Sequence, residues 1–171
     1  AIVRTCEVFG VQTVHLIEEK YGKRLDAEIA MGAEKWVTTH RYPDTASSLE
    51  ALKAQGYRIV ATVPDEKATY LEDFDINHKS VFFFGTERKG LSQEVLLNAD
   101  ELLTIPMVGF TQSLNISVSV AIILQYLTQK LRKSDLQWQL SAQEQLETRL
   151  QWTKNSIRSL SDILSRYYSI Q

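Results

Sequence analysis

The stretch Gly85-Thr86-Glu87-Arg88-Lys89-Gly90 has the glycine spacing of a phosphate-binding loop, but Leu91 and Ser92 follow it, so the lysine that would hold a nucleotide phosphate is missing. No G-x-G-x-x-G follows a strand and no G-x-S-x-G occurs, which removes the usual dinucleotide fingerprint and the hydrolase nucleophile elbow. His15, His40 and His78 fall in separate elements and form no helical ligand pair, so no metal centre is expected. The single cysteine, Cys6, builds neither a disulfide nor a multi-cysteine zinc site and reads as a small buried apolar residue rather than a nucleophile. None of these common motifs supplies a site, which leaves the junctions between elements to be read.

The elements that must position those junctions follow from periodicity. Residues 2–9 carry apolar side chains at helix spacing, with Gly10 where a C-cap glycine belongs. Residues 13–17 read as a buried strand, a short helix fits near 26–31, and a strand fits near 36–39. Asp44 and Thr45 can cap a helix running through Leu49 and Leu52 to Gly56. Strands are expected over 57–63, halted by Pro64, and over 81–84, stopped at Gly85. A short helix fits 92–98, and a strand fits 102–105 before Pro106. Residues 115–131 begin with a strand-like alternation at Ile116, Val118 and Val120, but the apolar run through Leu131 is long enough to decide for a helix. Ser141 and Glu144 form a capping-box pattern, and Leu146, Leu150, Ile157, Leu160, Leu164 and Tyr167 lie near one stripe, so a single long amphipathic helix is expected over 141–170 and ranked as packing in cis. Strand alternating with helix implies an α/β fold with a mostly parallel sheet covered on both faces.

With 171 residues and 44% hydrophobic content, the chain can bury one core. The expected division is a domain over 1–134 and a helical extension over 135–171, packed on the domain or on a dimer. No apolar run reaches the ~20 residues of a membrane-spanning helix, no signal peptide is visible, and a reducing cytoplasm is the default setting. The chain opens in a helix-like pattern without Met, so residues upstream are expected. A formal net charge of −2 weighs mildly against nucleic-acid binding. Lys20, Lys23 and Arg24, Arg88 and Lys89, and Lys130, Arg132 and Lys133 are the basic groups that could still contact RNA, each more readily a solvated surface.

Three segments stand out together. They are Ala1-Ile2-Val3-Arg4-Thr5-Cys6 with Phe9-Gly10-Val11, then Phe84-Gly85-Thr86-Glu87-Arg88-Lys89-Gly90-Leu91-Ser92, then Ile105-Pro106-Met107-Val108-Gly109 with Ser113-Leu114-Asn115-Ile116-Ser117-Val118-Ser119. In that order, each at a strand–helix junction, they resemble the three motifs of the SpoU/TrmH family of the SPOUT methyltransferase superfamily. With Ala61-Thr62 ending a strand, the pattern looks closest to the branch that methylates guanosine 2′-oxygens in tRNA. The family's first motif opens with an asparagine just upstream of the position that is Ala1 here.

The resemblance implies a C-terminal trefoil knot, although knots are essentially absent as a base rate. It also implies S-adenosylmethionine as cofactor, RNA as substrate with tRNA first, and a homodimer with its active site near the subunit boundary. The knot loops would fall at 61–64, 84–90 and 105–115. By the match, Thr62, Gly85, Ile105 and Leu114 are cofactor contacts, acting through backbone or apolar packing; Gly85 and Gly109, without a Cβ, would let main chain approach a ligand. Arg4 takes the position of the catalytic arginine, where a permanently protonated planar fork suits both a phosphate and a ribose oxygen. Glu87 matches the acid of the second motif, Ser113 and Asn115 the polar pair of the third. The bland readings are a surface salt bridge for Arg4, a helix-entry carboxylate for Glu87, and helix N-caps for Ser113 and Asn115.

Two other functions remain open at this level: the same chemistry on ribosomal RNA, and a catalytically idle RNA-binding or assembly protein of the same fold. Mapping the methylated ribose separates the first; calorimetry with S-adenosylmethionine separates the second.

Overall fold

The computed structural model describes residues 1–18, 32–87 and 89–169. The helix expected near 26–31, and Lys20, Lys23, Arg24 and Arg88, lie outside the described residues. The chain divides into two compact units, Ala1–Leu136 and the residues from Gln137 onward.

The first unit opens with α1 (Ile2–Val8), which buries Val3 and Cys6 one turn apart. It stops as expected at Gly10, with Val11 N–H bonded to Cys6 O at 2.8 Å and Gly10 N–H to Glu7 O at 2.9 Å. β1 (Thr13–Ile17) pairs in parallel with β2 (Thr38–Tyr42). β1 is half-buried along its length rather than buried. β2 begins later than residue 36 because a 3-10 turn, Ala33–Lys35, comes first and Val37 is drawn into a small core with Val3 and Ala33. Its Thr-Thr-His-Arg-Tyr sequence shows little apolar alternation; pairing with β1 makes it a strand, and His15 stacks on both His40 and Tyr42 across the ladder.

The main sheet has the order β4-β6-β3-β5, every pairing parallel, with β3 (Arg58–Thr62), β4 (Thr69–Tyr70), β5 (Ser80–Phe83) and β6 (Glu101–Thr104). The described strands thus form two sheets rather than the single one expected. At only two residues, β4 is too short for any periodicity to announce it.

β3 explains why its sequence is continuously apolar. Ile59, Val60 and Ala61 are all 0% exposed, because successive side chains point to opposite faces and both faces are covered. Ile59 and Ala61 meet Leu49 and Leu52 of α2 (Thr45–Ala54) and Val95 of α3 (Gln93–Asn98). Val60 meets Ile123 and Leu127 of α4 (Ile116–Arg132), with Leu71, Phe74 and Leu103. Each of these helices has a side-chain cap, expected at Asp44 and Asn115 and found also at Ser92: Asp44 accepts from Ser47 N–H, Ser92 from Val95 N–H, and Asn115 from Ser117 N–H. The hydroxyl and N–H of Ser47 hold the Asp44 carboxyl below the usual carboxylate range. α1 packs against α4.

The amino end of the sheet is tied by charged groups. Arg58 pairs with Glu101 at 2.9 Å, donates to Asp75 O at 2.6 Å and to Ser80 Oγ at 3.3 Å, and lies 4.7 Å over the Phe74 ring. Asp100 accepts from Ile59 N–H at 2.7 Å while its own N–H donates to Ile59 O at 2.8 Å, closing the β3–β6 ladder. Lys130, one of the basic residues considered for RNA, donates to the carbonyls of Glu72 and Phe74 instead.

In the second unit the Ser141–Glu144 capping box forms as expected and opens α5 (Ala142–Ser156). The single long helix does not form. Ile157 is extended and Ser159 has φ 54, after which α6 (Leu160–Ser169) restarts with Asp162 and Ile163 N–H bonded to Ser159 O. Asn155 and Ser156 are weak helix formers, so little opposes the break. Neither helix has a buried residue, and Leu146 and Leu150 of the expected stripe are exposed.

Replacing Arg58 with Ala strips partners from Glu101, Asp75 O and the Phe74 ring together. Urea unfolding should show a loss of about 1–3 kcal/mol, only partly recovered by Arg58→Lys, which lacks the planar fork; an unchanged midpoint would show that the cluster contributes nothing.

Candidate functional site

Parallel strands all send their carboxyl ends the same way, so the loops after β3, β5 and β6 converge. The loop after β5 is the most constrained. A Cβ on Gly85 would lie 2.0 Å from Gly90 C and 2.3 Å from Leu91 N, so only glycine fits. Beyond it, Thr86 and Gly90 pair antiparallel, Thr86 N–H to Gly90 O at 3.1 Å and Gly90 N–H to Thr86 O at 2.8 Å, with Gly90 at φ 65. Lys89 N–H adds a bond to Thr86 Oγ1 at 3.2 Å. The loop is a closed miniature hairpin, not a phosphate cradle leading into a helix; α3 starts only after the Ser92 cap.

That hairpin presents Glu87, and Glu87 is not a helix-entry carboxylate. Its Oε1 accepts from Asn115 Nδ2 at 2.9 Å. The same amide's Oδ1 accepts from Ser117 N–H at 2.8 Å and from Ser117 Oγ at 2.6 Å, capping α4. An amide carries both a donor and an acceptor, so Asn115 joins the loop after β5 to the start of α4; aspartate there would set two carboxylates against each other. Ser113, read as an alternative N-cap, lies two residues short of that position.

The three loops enclose a cleft of about 440 Å3. Thr62, Gly85, Ile105 and Leu114 all line it, as do Glu87 and Ser113. Asn115 stands one hydrogen bond behind Glu87. The Thr62 hydroxyl is committed to Phe83 O at 2.8 Å, fastening β3 to β5 at the rim. Leu103, Ile116 and Ile123 give the cleft an apolar side. Arg4 does not line the cleft; it is exposed on α1. Gly109 does not line it either, and a Cβ at that position would meet nothing within 4 Å. The tip of the loop carries Gly109 outward with Val108 and Phe110 fully exposed, while Met107 and Gln112 on its two arms face the cleft.

Several lining residues had no individual role in the sequence reading, Lys89, Gln112 and Ile123 among them. Lys89 counted only as half of a basic pair, although it sits inside the second motif. Gln112 and Ile123 carry no local signal, since which arm of a loop and which side of a helix face a cleft depends on packing. Cys6 matches its bland reading: burial pushes the thiol up to about 11, so it stays protonated and unreactive.

Substituting Gly85 with Ala forces the hairpin open at Gly90. The expected result is a loss of about 1–3 kcal/mol in thermal or urea unfolding, with far-ultraviolet circular dichroism unchanged; full native stability would mean that the close approach is dispensable.

Comparison with known proteins places this cleft in a family. The model of the SpoU rRNA Methylase family matches residues 1–125. The tRNA (guanosine(18)-2'-O)-methyltransferase of Borreliella burgdorferi is 41% identical over 159 residues, 93% of this chain and 73% of the relative. Among solved structures, the A. aeolicus TrmH/SpoU tRNA modifying enzyme superposes with a TM-score of 0.79 at 29% identity, over 92% of this chain and 82% of that one. The AdoMet bound rRNA methyltransferase from Sinorhizobium meliloti superposes with a TM-score of 0.66 at 25% identity, over 76% of this chain and 50% of that one. With three loops meeting at the carboxyl ends of a parallel sheet, and with that agreement in sequence and in shape, the chain belongs to the SpoU methylase family and has its knotted α/β fold.

Proposed function

We propose that this chain is an S-adenosylmethionine-dependent RNA 2′-O-ribose methyltransferase acting on guanosine in tRNA. The observation that carries the reading is the cleft itself, where Glu87, Ser113 and an apolar wall meet within a volume of about 440 Å3, in the size range of small-ligand sites. The residues fit the cofactor. Leu103, Ile105, Leu114 and Ile116 offer an apolar bed for a purine, and the main chain at Thr62, Gly85 and Ile105 offers hydrogen-bonding groups for its edge. When bound, S-adenosylmethionine supplies a methyl group on a sulfonium leaving group.

What the protein adds is positioning and charge. Asn115 holds Glu87 and caps α4 at once, so the two walls of the cleft keep one spacing. Arg4 lies outside this chain's own cleft and has no hydrogen bond or ion pair among the described residues; in this reading its guanidinium meets the substrate at the subunit boundary and donates to the ribose 2′ oxygen as that oxygen loses its proton to solvent. Ser113 offers a hydroxyl to the substrate sugar.

A homodimer is part of the reading. Val8 on α1, Val118 and Ile122 on α4, and Val108 and Phe110 on the loop before it are exposed apolar side chains, an arrangement that suits contact with a second copy. No described helix is long and apolar enough to cross a membrane; a tRNA substrate would place the enzyme in the cytoplasm. A ribosomal RNA substrate is the second reading, favoured by the Sinorhizobium meliloti likeness.

Incubation of the full chain with tRNA, ribosomal RNA and labelled cofactor, followed by mapping of the methylated nucleotide, tests the function. Label on a base rather than a ribose oxygen would sink it. Arg4→Ala should lower turnover about 10²–10³-fold while calorimetry still records cofactor binding; undiminished turnover would remove Arg4 from the mechanism.

A further inference from the structure

We infer that Lys89 is the phosphate-reading residue of the cleft, binding the backbone phosphate next to the ribose that is methylated; this rests on the proposed RNA reading. Lys89 and Glu87 are the two charged side chains among the described residues that line the cleft. They stand two residues apart on one hairpin, yet do not pair. Glu87 is taken by the Asn115 amide, and the Lys89 ammonium has no hydrogen bond or ion pair among the described residues. The backbone beneath it is held on both sides, by the Thr86–Gly90 bridge and by its own N–H on Thr86 Oγ1. An exposed cation on a held backbone at the edge of a cleft is available to a ligand anion rather than to the fold.

The chemistry of RNA says which anion. A ribose 2′ oxygen neighbours the 3′ carbon, which carries the phosphodiester, so any strand that puts the 2′ oxygen into the cleft brings that phosphate to its mouth. Lysine suits it as a compact point charge with three donors on a flexible stem. The competing anion is the carboxylate of the cofactor's amino-acid part, and the two are separable by experiment.

Binding of a tRNA transcript to the full chain is measured by filter retention across a salt series, for wild type, Lys89→Gln and Lys89→Arg, with cofactor affinity read by calorimetry. Lys89→Gln should weaken tRNA binding about two- to fivefold, the range of a solvent-exposed ion pair. It should also flatten the slope of log affinity against log salt by about 0.7 to 0.9, the signature of one lost phosphate contact. Lys89→Arg should restore both, and cofactor affinity should not move in either variant. An unchanged salt slope overturns the inference, and so does a loss confined to cofactor affinity, which would assign Lys89 to the carboxylate. Because binding is read without turnover, an absence of methyl transfer in the wild type would count against the proposed function and leave the Lys89 result standing.

Discussion

The bond from the Asn115 amide to Glu87 is where the core of this protein meets its cleft. One end of the amide finishes the first turn of α4, and α4 is fixed by Val120, Ile123 and Leu127 packed on the sheet. The other end holds the carboxylate of a hairpin whose direction is set by the close approach at Gly85. Because an amide both donates and accepts, one side chain serves both ends, and the loop takes its position from a helix packed on the apolar core. Loss of the amide would free the hairpin and fray the helix together.

The sheet divides its labour between its two ends. At the amino end, charged side chains cross-link strands: Arg58 to Glu101 and Asp75 O, Asp100 to the backbone of Ile59. At the carboxyl end, the Thr62 hydroxyl on Phe83 O is a neutral tie, and the loops are left to form a concave surface. Parallel strands covered on both faces require this asymmetry, since helices occupy the faces and only the strand ends remain to bind anything. β6, placed between β3 and β4, brings the last of the three loops into the middle of that surface.

Charge follows the same economy. A net charge of −2 offers no general attraction for nucleic acid, and Lys130, basic by count, is consumed in holding α4 to the carbonyls of Glu72 and Phe74. What matters is where a cation without a partner stands among the described residues, and Arg4 and Lys89 carry the functional readings. Counting basic residues could not separate the spent from the available, because that distinction is made by tertiary contacts.

The amino-acid sequence by itself determined the elements whose signals are local. Asp44, Ser92, Asn115 and Ser141 act as caps where their side chains meet the next turn, Gly10 and the glycine at 56 end helices, and the continuous apolar run of β3 announced a strand buried on both faces. The motif residues Thr62, Gly85, Glu87, Ile105, Ser113 and Leu114 were legible as a set, and they share one cleft. Only the tertiary structure decided that β2 starts at Thr38, that two residues at Thr69 form a strand, and that Gln112 rather than Gly109 faces the cleft. Each of these turns on contacts between residues far apart in the chain, whose free energy outweighs local preference and leaves no trace in the spacing of neighbours.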